Sequence, residues 1–203
     1  MGRRVGMKLK ASTSTQREAT RTTALALLTL FVAACASAPR ETFDLTADTG
    51  ALRSIALRGG PPIYVPEPAA VAPTSSDRIV VRAAGDSVAV LPGVQWSDPL
   101  PRLFQRRLIE ALQRCGLSAS SNIGAQTKLG TDVRRFEIDI ARNLAVIEVS
   151  VELVDGGGQA RSARIFVEEG PAPEHVGSQA ARSLSDAAAR IALRIGQWTK
   201  ARL

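Results

Sequence analysis

Between Leu144 and Val154 apolar and polar residues alternate so regularly that an extended chain is the only conformation that sorts them. Ala145, Ile147, Val149, Val151 and Leu153 fall on one side, and Leu144, Val146, Glu148, Ser150 and Glu152 on the other. A period of two belongs to the β-strand, and a second side that turns polar after Val146 asks for a sheet with one face covered. Val133–Ile140 and Arg161–Val167 are strands of the same kind. Ala141-Arg142-Asn143 and Asp155-Gly156-Gly157-Gly158 join them to the central one with turn-forming residues. The expectation is an antiparallel meander.

Two stretches carry the helical period instead. Asp98 reads as an N-cap and Pro99 as a first-turn proline. Leu100, Leu103, Phe104, Leu108, Ala111, Leu112 and Cys115 then recur as one stripe, which Gly116 should end. Arg106–Glu110 and Glu110–Arg114 have ion-pair spacing on the other side. From about Glu174 to Lys200, Val176, Ala180, Leu184, Ala187, Ala188, Ile191, Ile195 and Trp198 form a second stripe. Its alanines favour helix and permit close approach to the sheet. The fold class is therefore α+β: a two-layer domain, mostly antiparallel sheet, with two main helices on one face.

Upstream, Thr42–Thr46 reads as a first strand. Asp77–Ala83 and Ser87–Leu91 read as a hairpin about Gly85-Asp86. Pro61–Pro68 boxes Ile63-Tyr64-Val65 between prolines, so it is either an edge strand or a polyproline-like surface stretch. Leu117–Gly130 is small and polar, with room for a short strand and a loop.

The first 34 residues follow different rules. A basic segment precedes an apolar run from Ala24 through Ala34, and small residues stand just before Cys35. That is the order of a secretory signal peptide. The run is short of the roughly 20 apolar residues a membrane-spanning helix needs. Val32-Ala33-Ala34-Cys35 resembles the lipobox of bacterial lipoproteins. The resemblance implies that residues 1–34 are removed and that Cys35 is diacylated on sulfur as the first residue of the mature chain. Residues 35–40 would then be a lipidated tether and residues 41–203 a single domain. An ordinary signal peptide with an incidental cysteine, or a buried core segment, are the plainer readings of the same residues. Arg3-Arg4 invites a twin-arginine export reading, but Val5-Gly6-Met7 lacks the bulky apolar residues such signals show.

The leader also explains the charge. The whole chain carries +7 at pH 7 and a pI near 10.4. Arg3, Arg4, Lys8, Lys10, Arg17 and Arg21 stand against Glu18 in the leader. Subtracting these six bases from 26 and one acid from 19 leaves 20 against 18, a net of +2. The remaining arginines are spread along the chain, whereas a nucleic-acid binder needs a concentrated basic face. Nucleic acid is excluded as a leading partner. With Cys35 acylated, Cys115 has no partner for a disulfide and reads as a small buried hydrophobe.

No catalytic constellation is expected, and no metal or cofactor. His175, the only histidine, falls at the polar start of the last helix beside Glu174 and reads as a surface residue. Gly156-Gly157-Gly158 lacks a following helix N-terminus and reads as a hairpin turn, not a phosphate cradle. Glu137 and Asp139 share a strand face and read as its solvated side. Trp96 and Trp198 read as core or interface anchors.

One family shares the whole order. The lipobox is followed by Phe43-Asp44-Leu45, a proline-rich stretch and Arg78-Ile79-Val80-Val81-Arg82. Trp96-Ser97-Asp98-Pro99-Leu100-Pro101 then opens a helix, and a meander and a helix ending near Trp198 follow. This resembles the ABC-type transport auxiliary lipoproteins, which include the lipoprotein of the paraquat-inducible MCE system. The resemblance implies a non-enzymatic, lipid-anchored periplasmic subunit of an intermembrane lipid-transport system in a Gram-negative envelope. Its implied partners are an MCE-domain protein with its ABC permease and ATPase, and ring-forming relatives make a homo-oligomer an expectation. Ala36 after the acylated cysteine, where Asp would retain a lipoprotein at the inner membrane, implies the periplasmic face of the outer membrane. An envelope-assembly or lipopolysaccharide-handling lipoprotein, or a binding module for a small apolar ligand, are the alternatives the residues leave open.

Overall fold

The computed structural model describes residues 2, 39–45, 62–122 and 124–203. Cys35 and, apart from Gly2, the expected leader of residues 1–34 lie outside them. The chain divides into Met1–Pro39 and Arg40–Leu203, and every element below belongs to the second unit.

The frame is the expected meander: β8 (Thr127–Asp139), β9 (Leu144–Val154) and β10 (Ala160–Pro171), paired antiparallel in that order. The side of β9 from Ala145 to Leu153 is fully buried, as the alternation requires. Asn143 takes a left-handed φ of 56° in the first turn and Gly158 one of 80° in the second. Asp155 closes the second turn, its Oδ1 accepting the backbone N–H of Gly157 at 2.9 Å and of Gln159 at 3.0 Å.

β8 begins six residues earlier than the strand expected at Val133. A bulge at Arg134, between Val133 and Arg135, puts an extra residue in the strand. Before it the odd residues Leu129, Thr131 and Val133 face the core; after it the even residues Phe136 and Ile138 do. The phase break hides the first half from a search for one period.

Beyond β8 the sheet is mixed rather than antiparallel. β2 (Ile63–Tyr64), β3 (Ala69–Ala70) and β4 (Val80–Arg82) all pair with β8 in parallel. Parallel neighbours need a long crossover, and the chain from Val88 to Ser120, which includes the first helix, supplies it. β5 (Val88–Val90) is the expected hairpin partner of β4, and Gly85 in the turn between them has a φ of 75°. β2 also pairs with β7 (Ala119–Ser120), so Ile63-Tyr64 is interior and not an edge strand. Only these two residues pair in the ladders, so Pro62, Pro66 and Pro68 interrupt none. β1 (Glu41–Phe43) pairs in parallel with β6 (Val94–Trp96) in a separate two-stranded sheet.

Helix α1 spans Leu100–Arg114, with Pro99 at the N-cap where Asp98 was expected. Asp98 instead faces Arg102 at 3.6 Å and Arg106 at 3.5 Å, and Glu110 pairs with Arg107 at 3.2 Å in place of Arg106 and Arg114. Gly116, with φ 83°, ends the helix: its N–H reaches the Gln113 carbonyl at 2.8 Å, and that of Leu117 reaches Leu112 at 3.1 Å. Helix α2 spans Gly177–Lys200, three residues later than expected. Val176 is its extended N-cap and is exposed, so it leaves the buried stripe.

The helices cover one face of the sheet. Phe136 of β8 takes the edges of Trp96 at 6.0 Å and Phe104 at 6.2 Å between centroids, which ties β6, α1 and the sheet into one core. Phe166 of β10 and Trp198 of α2 make the matching contact at the far side, at 5.8 Å. Both tryptophans are thus anchors.

Candidate functional site

The expected lipidation site, Cys35, falls outside the described residues. Cys115 is a free thiol at the end of α1, half-buried; burial pushes its pKa up, and Lys200 opposes that more weakly. His175 precedes α2 instead of opening it. It is half-buried, not a surface residue, and its Nε2 is buried with no hydrogen-bond partner among the described residues. Among the described residues no group of three or more His, Cys, Asp or Glu side chains could hold a metal ion.

Glu137 and Asp139 overturn their expected solvation: they share a face, but both are buried. Val80 and Val146, the register neighbours of Glu137 on that face, are buried too, so the second face is covered around Glu137. Arg82 grips Glu137 as a fork, Nε to Oε1 at 2.7 Å and Nη2 to Oε2 at 3.0 Å. Arg135 adds Nε and Nη2 to Oε1 at 2.8 and 2.6 Å. Arg142 holds Asp139 through Nε at 2.8 Å and its backbone N–H at 3.1 Å, then reaches Glu169 at 2.9 Å. That guanidinium, more than any other cause, holds the Asp139 carboxyl below the usual aspartate range. Carboxylates held by arginines in this way are structural.

The chemistry on offer is basic and lies on the helix side. A groove of about 240 Å³ runs between the helices, lined by Ala111, Ala189 and Leu193 together with Arg107, Arg114 and Arg190. Beside it, α2 and β10 enclose an open basin of about 320 Å³, lined by Arg164, Phe166, Arg194, Gln197, Trp198 and Arg202. The arginine clusters escaped the sequence reading because a net of +2 conceals them. The available signal was the recurrence of Arg190, Arg194, Trp198 and Arg202 at every fourth residue.

Residues 43–196 match the model of the family described as ABC-type transport auxiliary lipoprotein component. A curated relative, protein bll6063 of Bradyrhizobium diazoefficiens, is 33% identical over 147 residues; these are 68% of this chain, and the chain spans 39% of that protein's length. The crystal structure of protein XCC0632 from Xanthomonas campestris superposes with a TM-score of 0.65 at 25% identity, over 68% of this chain and 83% of that one. A second crystal structure, of an uncharacterized protein, gives 0.66 at 16% identity over 79% and 99%, a likeness of fold alone.

Proposed function

Because this chain belongs to the ABC-type transport auxiliary lipoprotein components, we propose that it is a non-enzymatic, lipid-anchored periplasmic subunit of an MCE-type intermembrane lipid-transport system. It works by holding partners, and Cys35 carries its anchor on the periplasmic face of the outer membrane. The observation that carries the reading is the reach of the family match, which runs from the first strand nearly to the end of α2. The arginine-held carboxylates and the arginine-lined helix face support a binding role over acid–base catalysis. An MCE-domain protein is the direct partner, with its permease and ATPase behind it, and self-association is part of the same reading.

The test is co-purification of the tagged full chain from detergent-solubilised envelopes. The MCE-domain protein should be recovered with the wild type. Recovery should fall sharply for Cys35→Ser, since confinement to a membrane raises the effective concentration of a partner there. Wild-type protein that carries down no transport component, even after cross-linking, would sink the assignment. A Cys35→Ser protein that still incorporates labelled fatty acid would sink the anchor.

A further inference from the structure

The face shared by β10 and α2 is charged unevenly. Arg164, Phe166 and Glu168 alternate onto one side of β10; Arg190, Arg194 and Trp198 descend α2 at successive fourth positions, and Arg202 keeps that spacing in the turn just past the helix end. At the Glu168 end the charges close. Oε1 takes Arg190 Nε at 2.7 Å, and Oε2 takes Arg194 Nη1 at 2.9 Å. Arg194 Nη1 also donates to the Val167 carbonyl at 2.9 Å.

At the other end they do not close. Among the described residues neither Arg164 nor Arg202 has a carboxylate partner. Each is held over a ring: Arg164 over Phe166 at 5.1 Å, and Arg202 over Trp198 at 4.6 Å. Arg202 Nη1 also donates to the Trp198 carbonyl at 3.3 Å. The basin opens between these two arginines, with the amide of Gln197 on its rim.

We infer that the basin is a binding site for an organic phosphate, its oxygens taken by Arg164 and Arg202. Stacking on a ring holds a guanidinium in place without using its N–H donors; apart from the Arg202 Nη1 bond to the Trp198 carbonyl, these stay available in a planar fork that matches phosphate. A cation would be repelled here, and an uncharged apolar ligand would take donors out of water with nothing to receive them. Phe166 and Trp198 are themselves buried beneath the two guanidiniums, so the group the phosphate is esterified to extends out through the open side of the basin. That group is either the glyceride of a lipid headgroup or a small soluble alcohol. The inference goes beyond the subunit assignment, and co-purification of transport components does not depend on it.

The experiment titrates the full chain in nonionic detergent with dihexanoylphosphatidylglycerol and, separately, with glycerol 1-phosphate, read by calorimetry. Saturable binding of at least one is expected. Arg164→Ala/Arg202→Ala should weaken it about tenfold or more, and Arg164→Lys/Arg202→Lys, which keeps the charge but loses the fork, should weaken it less. Arg102→Ala/Arg182→Ala removes the same charge outside both the groove and the basin and should leave binding unchanged. Unchanged urea midpoints show that the variants are folded. Tighter binding of the lipid assigns the phosphate to a headgroup, and equal binding assigns it to a soluble ester. No binding of either probe, or equal losses from the two alanine pairs, overturns the site.

Discussion

Gly196 of α2 faces the Ala111 carbonyl of α1 so closely that a Cβ on Gly196 would stand 3.2 Å from that oxygen and 3.0 Å from Cys115 Sγ. Glycine inside a helix costs roughly 0.5–1 kcal/mol relative to alanine. Here its absent side chain is what lets the helices meet. Gly196→Ala should therefore forfeit the usual propensity gain, and Gly196→Val should destabilise by about 1–3 kcal/mol through overpacking. Urea unfolding checks both, and a Gly196→Ala protein stabilised by the full propensity difference would show that the contact yields freely.

Leu108 and Arg106 lie two residues apart on α1 and should behave oppositely. Leu108 is fully buried, so Leu108→Ala should cost about 2–5 kcal/mol. The Arg106 side chain is 57% exposed and meets Asp98 at 3.5 Å, so Arg106→Ala should cost less than about 1 kcal/mol. Equal shifts in the urea midpoint would contradict the buried face.

Glu137→Gln tests the double fork. Removing one partner of a buried ion pair typically costs about 3–5 kcal/mol, because the other charge is left uncompensated. Arg82 and Arg135 keep 25% and 29% of their side chains exposed, so water screens them once the carboxylate is gone. A loss of about 1–3 kcal/mol is expected. A neutral result in thermal and urea unfolding would mean that the arginines gain as much from water as from Glu137.

Asp139 makes stability depend on acid. Its pKa is depressed in the folded chain, chiefly by the Arg142 guanidinium. Its contribution is therefore complete above the unfolded aspartate value, about 3.9, and is lost as pH falls through the lower folded value. Asp139→Asn should lower stability at pH 7 and flatten the decline below about pH 4. Urea midpoints measured from pH 7 to pH 3 give the comparison, and an unchanged acid limb in Asp139→Asn would place the titrating group elsewhere.

Much of the domain was legible in its residues, and the reason is local. The alternation of β9, the α1 stripe, the Gly116 stop and the Asp155–Gly158 turn are each specified within a few residues by side-chain period and allowed φ. Family membership was legible for a similar reason, since its marks are short motifs in a set order.

What only the tertiary structure decided depends on pairing between distant segments. Ile63-Tyr64 reads as an edge because prolines flank it, yet β7 and β8 close on both its sides. Glu137 and Asp139 alternate like a wetted face, yet Arg82, from a strand 55 residues earlier, and Arg135 and Arg142 bury them. Arg164 and Arg202 look like scattered surface charge until β10 and α2 lie side by side and leave both without a counter-ion among the described residues. Period reports which side of an element a residue occupies. What waits on that side is set by long-range packing, which no local pattern carries.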